Sequence, residues 1–178
     1  KIVWMMKKLI TTIYFILVIF MTSFGEVYSA EWDCASSTNT GTFTRSTDCT
    51  ISGNNHVAVS NTLEIVGSNE DMNNLITITA ATNQRHFYLN NANAKLILRY
   101  LKLVGGDART YTWPDDRGGS IYIYTNGGEL NLYTVILSTN KARAGGGISG
   151  CDNANDKHVI MNIYNSNINN NEATTTST

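Results

Sequence analysis

A block of about a dozen residues recurs along this chain with its apolar pattern kept, and no other feature restricts the fold as much. Leu130 to Ala142 reads LNLYTVILSTNKA, and Met161 to Ala173, 31 residues further on, reads MNIYNSNINNNEA. Asn131/Asn162, Tyr133/Tyr164, Asn140/Asn171 and Ala142/Ala173 are identical, while Leu132/Ile163 and Leu137/Ile168 stay apolar. An upstream copy, Leu96 to Ala108 (LILRYLKLVGGDA), begins 34 residues before Leu130 and keeps Leu98, Leu103 and Ala108 in register. A glycine element, Gly118-Gly119-Ser120-Ile121, returns 27 residues later as Gly145-Gly146-Gly147-Ile148. Variable spacing with a constant core means strands held in register and loops free to change length.

Each copy has period-two alternation, the mark of a strand with one buried face. Leu130, Leu132, Val135 and Leu137 share a face, with a turn at Thr134. A strand–bend–strand unit of this size cannot bury its own apolar side, but stacked on copies of itself it buries a continuous one. The pattern predicts a right-handed parallel β-helix of about five coils, in which Leu98, Leu132 and Ile163 form one interior column at roughly the 4.8 Å spacing of paired strands. An antiparallel β-sandwich also gives short alternating strands, but it does not predict the same block three times. Asn closes the repeats because it tolerates left-handed backbone and bonds to neighbouring main chain. Stacking would set Asn140 over Asn171 as an amide ladder. The alternative for Asn169-Asn170-Asn171 is a polar tail.

GGSI (118–121), STNKARAGGGI (138–148) and INNNEA (168–173) resemble the GGA-I and F-x-x-N repeats of the chlamydial polymorphic outer-membrane proteins and related β-helix surface proteins. Leu137-Ser138-Thr139-Asn140 and Ile168-Asn169-Asn170-Asn171 stand in for F-x-x-N, with aliphatics for Phe. GTFTRSTDC (41–49), TLEIVG (62–67) and RHFYL (85–89) resemble the leader coils of such secreted proteins. The resemblance implies a pectin-lyase-like parallel β-helix and a surface or secreted role.

The first thirty residues differ from the rest. Met6-Lys7-Lys8 precedes an apolar run, Leu9 to Met21, and then the small and polar residues Thr22-Ser23 and Val27-Tyr28-Ser29-Ala30. This is the layout of a secretory signal peptide over residues 1–29, cleaved after Ser29 or Ala30, and the run is shorter than the roughly 20 residues that span a bilayer. Lys1 to Met5 precede a better start at Met6. The mature chain divides into an N-terminal cap and first coil (30–62), β-helix coils (63–173) and a polar tail or truncation point (174–178). Asn171-Glu172-Ala173 leads into Thr-Thr-Thr-Ser-Thr where a glycine element is due, so the sequence reads as unfinished after Thr178. Export places the protein outside the cell or on its surface, in association with an outer membrane if the source is bacterial.

Loss of residues 1–29 removes Lys1, Lys7, Lys8 and Glu26, so 13 basic and 14 acidic residues become 10 and 13, a net charge near −3. Such a chain has no basic surface to gather nucleic acid. Cys34, Cys49 and Cys151 all follow the leader, where oxidation is permitted. Cys34 with Cys49 is the favoured disulfide, leaving Cys151 buried or as a free thiol. His56, His86 and His158 are scattered, so neither a metal nor another cofactor is indicated.

Candidate sites lie on the outward face. With Leu130, Leu132, Met161 and Ile163 inward, Tyr133 and Tyr164 point out in one column with Arg99, and Tyr122 and Tyr124 point out on the strand after Gly119. Exposed aromatic rows stack on sugars or anchor a protein partner, so the partners implied are a polysaccharide or a surface protein. Asp107, Asp115, Asp116 and Arg117 share the loop DARTYTWPDDRGG (107–119), which reads as a solvated turn, or as a small calcium or sugar site. No catalytic constellation is visible: of the paired-carboxylate and arginine elements that polysaccharide enzymes of this fold need, only the Asp115-Asp116 pair is present. The function read from the sequence is a structural, adhesive or carbohydrate-binding β-helix. The alternative is a fragment of a polysaccharide lyase or glycoside hydrolase.

Overall fold

The computed structural model describes residues 29–53, 55–112, 115–124, 127–150 and 158–174. Residues 1–28 of the expected leader (1–29), Trp113, Pro114, Cys151 and the residues after Thr174 lie outside the described residues. The strands run β1 (Ala30–Glu31), β2 (Gly41–Arg45), β3 (Cys49–Thr50), β4 (Val57–Val59), β5 (Thr62–Gly67), β6 (Ile76–Thr79), β7 (Phe87–Leu89), β8 (Lys95–Val104), β9 (Ile121–Ile123), β10 (Gly128–Ser138), β11 (Lys141–Ala142), β12 (Ile148–Gly150), β13 (Val159–Tyr164), β14 (Asn167–Asn169) and β15 (Glu172–Ala173). Every strand pairing is parallel.

The result is a parallel β-solenoid of about four turns. A first wall stacks β2, β5, the first half of β8, the first half of β10 and β13; a second stacks β3, β6, the second halves of β8 and β10, and β14; a third stacks β4, β7, β9 and β12. Among the described residues the chain thus crosses the first wall in five full strands, with the two-residue β1 paired to β2 at its N-terminal edge, and the third wall four times, so the five coils expected amount to about four complete turns. Residues 30–38 go into a cap rather than a coil.

The register is the one the repeat specifies. Leu98, Leu132 and Ile163 are consecutive partners in one column with Ile65 below, and Leu63, Leu96, Leu130 and Met161 form the next. Ile78, Leu103, Leu137 and Ile168 line the second wall, and Phe87 and Ile121 stack on the third with Val57 and Ile148 on either side. Leu63, Ile65, Leu96, Leu98, Leu130 and Leu132 are fully buried, each worth about 1.5–3 kcal/mol relative to exposure.

The corners are backbone devices. Between the first and second walls the chain turns through left-handed residues at equivalent places, Tyr100 (φ 55°), Thr134 (φ 55°) and Asn165 (φ 47°), which is why β8 and β10 each serve two walls. Gly118 and Gly145 (both φ 60°) turn the chain into the third wall. Gly119 follows because no Cβ fits there: it would lie 2.2 Å from the carbonyl oxygen of Gly146 and 2.5 Å from that of Lys141. The recurring G-G-x-I is therefore a left-handed corner, a point of backbone contact between coils, and a core residue.

The N-terminal end is plugged. Trp32 is fully buried against Phe87 (ring centroids 6.2 Å apart), and its Nε1 donates to the carbonyl of Thr38 at 3.3 Å. Cys34 and Cys49 form a disulfide with Cα atoms 6.5 Å apart, which ties the cap to the first coil. Closing a loop of this length is worth about 3 kcal/mol in the chain-entropy model. The opposite end lacks such a plug among the described residues. Met161 (38% exposed), Ile163 (43%) and Ile168 (43%) are inward-facing residues that no further strand covers among the described residues.

Candidate functional site: two outward aromatic groups

The tyrosines singled out in the sequence fall into two groups of different character. The first covers the third wall. Tyr122 lies between the core residues Ile121 and Ile123 and so projects outward, yet it is fully buried. Its expected exposure is corrected, and the cause is a lid of other side chains. The Arg85 guanidinium sits over the Tyr122 ring at 4.9 Å, with Tyr111 at 4.5 Å and Tyr88 at 5.4 Å. Tyr124, half-buried, packs on Tyr122 (5.6 Å) and Tyr88 (6.2 Å).

Arg85 is itself 99% buried, at 1% exposure. It donates through Nη2 to the carbonyl of Asp115, while Nε and Nη1 have no oxygen or nitrogen acceptor among the described residues. Ring faces take their place, and a desolvated guanidinium gains about 2 kcal/mol or more from such contacts. Burial lowers its proton affinity, an effect opposed by the neighbouring tyrosines and Asp115.

Nothing in this group is poised for proton transfer near neutrality. Burial, then the Arg85 charge, pulls His56 down to about 4. Its Nδ1 lies 3.1 Å from the Tyr111 hydroxyl, and that hydroxyl donates to Gln84, so His56 Nδ1–H is the donor between them. Burial pushes Tyr88 up to about 12 and raises Tyr111. The cavity bounded by His56, Arg85, Tyr88, Tyr111 and Asp115 is only about 70 Å³. This group fixes the 107–117 loop onto the third wall.

That loop also separates its carboxylates. Asp107 is clamped by Arg109 (2.9 Å from Oδ1 to Nε), Asp115 faces the Arg85 cavity, and Asp116, buried, lies 3.5 Å from Arg143. The adjacent aspartates therefore do not form an acid–base pair around a shared cleft. Among the described residues no three of His, Cys, Asp or Glu cluster in a way that could hold a metal ion.

The second group is open. Arg99, Tyr133 and Tyr164 are successive partners on the outer side of the first wall. Tyr133 and Tyr164 stack with centroids 5.1 Å apart and planes 10° from parallel, a separation set by strand spacing. The Arg99 guanidinium lies 4.0 Å from the Tyr133 centroid and is held by Glu64 at 2.9 Å. Tyr164 is 51% exposed. The outcome is a cation–aromatic–aromatic stack along the wall, anchored by an ion pair at one end and with Tyr164 exposed at the other.

Arg85 escaped the sequence reading because it precedes a strand rather than alternating within one. The register holds the signal: Phe87 pairs with Ile121, which places Arg85 and His86 where the next coil has Gly119 and Ser120. The Ser120 hydroxyl bonds His86 Nδ1 (3.1 Å) across those coils.

No protein-family model, curated protein or solved structure matches this chain.

Proposed function

We propose that this chain is an exported, cell-surface β-helix module with an adhesive or structural role, which holds a polysaccharide or a surface protein on the Arg99–Tyr133–Tyr164 row. The observation that carries this reading is the row itself: two nearly parallel tyrosine rings in stacked contact, capped by an oriented guanidinium. The exposed Tyr164 ring at the end of the stack matches the C–H face of a pyranose, and the guanidinium adds donors for hydroxyl or carboxylate oxygens. Support for the surface setting comes from the leader-like residues 1–29 and the disulfide near the mature start. The relation we favour is to the polymorphic outer-membrane protein repeats within the pectin-lyase-like class. The coil is taken as right-handed, the hand that parallel strand–crossover–strand connections adopt almost without exception.

The test is binding of the exported protein to a panel of neutral and acidic polysaccharides, with Tyr133→Ala/Tyr164→Ala alongside. Wild type should bind at least one polysaccharide, and the double variant should bind it at least tenfold more weakly with an unchanged thermal transition. Equal binding by both proteins, or no binding to any polysaccharide in the panel, would overturn the carbohydrate reading.

A further inference from the structure

Arg85 is a buried cation with more hydrogen-bond donors than its surroundings can satisfy. A guanidinium only donates. Nη2 reaches the Asp115 carbonyl, whereas Nε and Nη1 have no acceptor among the described residues. The ion pairs among the described residues do not include Arg85. The Tyr88, Tyr111 and Tyr122 rings lie against its charge, but a ring face offers no oxygen lone pair to an N–H. Buried donors without an acceptor are rare in folded proteins, and each calls for a reason.

The space beside Arg85 supplies one. It measures about 70 Å³ and is bounded by His56, Arg85, Tyr88, Tyr111 and Asp115. A water occupies about 30 Å³ of liquid, so the space holds about two waters, or one planar group of about four heavy atoms. All its walls except Arg85 are only partly buried, so it is within reach of solvent.

Its chemistry has two sides. Arg85 brings the unmatched donors. Behind the effect of burial, the Asp115 carboxylate is felt by Arg85, Tyr88 and Tyr111 alike, which sets it beside the same space. An anionic ligand would meet Asp115 and a cationic one would meet Arg85. A neutral group with an acceptor at one end and a donor at the other suits both. A hydroxyl has both functions but fills only half the space. An acetamido group fills it, with its carbonyl and N–H pointing to opposite sides and a methyl left for the aromatic walls. Tyr88 packs on Tyr124 with ring centroids 6.2 Å apart, and both are partly buried. They continue the aromatic surface along the third wall, where a sugar ring can rest.

From this we propose that the Arg85–Asp115 cavity binds the acetamido group of an N-acetylated hexosamine. The carbonyl oxygen accepts from Arg85 Nε and Nη1, the N–H donates to the Asp115 carboxylate, and the methyl lies against the Tyr88 and Tyr111 rings. The cavity is on the third wall and the Arg99–Tyr133–Tyr164 row is on the first, so neither reading rests on the other.

The probe is N-acetylglucosamine titrated into the whole chain, followed by the tyrosine bands of the near-ultraviolet circular dichroism spectrum. A saturable change is expected. Glucose and glucosamine, which lack the amide carbonyl, should bind at least tenfold more weakly, and so should Nε-acetyl-lysine, which has the amide without the sugar ring. Asp115→Ala keeps the main-chain carbonyl that holds Arg85 and removes only the carboxylate; it should weaken binding at least tenfold with an unchanged thermal transition. Tyr133→Ala/Tyr164→Ala should bind the sugar as wild type does. No saturable binding, which would leave the space to solvent alone, would overturn the proposal. So would glucose or Nε-acetyl-lysine binding as tightly as the acetylated sugar, undiminished binding by Asp115→Ala, or loss of binding in the double tyrosine variant.

Discussion

Asn140→Ala is the substitution that best separates stacking chemistry from simple hydrophobic burial. The Asn140 side chain is fully buried and makes three hydrogen bonds: from Gly106 N–H at 2.9 Å, to the Leu103 carbonyl at 3.3 Å and to Asn171 Oδ1 at 2.9 Å. Truncation leaves the buried Gly106 N–H without its acceptor, which costs about 1–3 kcal/mol, and removes two further bonds worth about 1 kcal/mol or less each. The expected loss is about 2–4 kcal/mol, a large part of the roughly 5–15 kcal/mol that holds a domain of this size. Asn171→Ala deletes the same chemistry one coil later, but Asn171 is only partly buried, so it should cost less, about 1 kcal/mol. Urea unfolding of both variants, followed by circular dichroism, measures the difference. If Asn140→Ala falls within about 0.5 kcal/mol of wild type, or Asn171→Ala costs as much, the ladder is not what positions the coils.

Three further outcomes are expected. Gly119→Ala should prevent folding, because its Cβ would meet main-chain oxygens at 2.2 and 2.5 Å, whereas Gly105→Ala, whose nearest neighbour is Thr79 Cγ2 at 3.6 Å, should cost only the roughly 1–2 kcal/mol of left-handed backbone; expression and melting curves distinguish them. Thr134→Asn should raise the melting temperature, since a β-branched residue at φ 55° is replaced by the type found at the equivalent Asn165; a lowered transition would show that the Thr134 side chain contributes more than its strain costs. Burial holds His86 down at about 4 in the folded chain against 6.5 when free, so between these values the unfolded state binds the extra proton and stability falls as pH drops from about 6.5 to about 4, by up to roughly 3 kcal/mol. His56 acts in the same direction, and a His86→Gln variant that keeps the full pH slope would contradict the assignment.

The stacking register was legible in the sequence. A strand has a strict two-residue side-chain period, so blocks of the same apolar pattern at 96, 130 and 161 had to present the same face. Only stacking buries such faces, and Leu98, Leu132 and Ile163 accordingly share a column. The outward column of Arg99, Tyr133 and Tyr164 followed from the same parity. What alternation could not tell is what lies beyond the strand. Tyr122 points outward as its neighbours require, but the 107–117 loop returns over it with Tyr111, and Arg85 from the preceding coil fills the gap. Asp115 and Asp116 are adjacent in sequence yet serve Arg85 and Arg143 on different sides of the loop. Trp32 plugs the first coil, while Ile163 in the last described coil is 43% exposed. Parity along a strand is a local property that the chain carries in its residue order. Burial depends on which distant segment comes to rest above a side chain, and that is decided only when the coils and their loops are assembled.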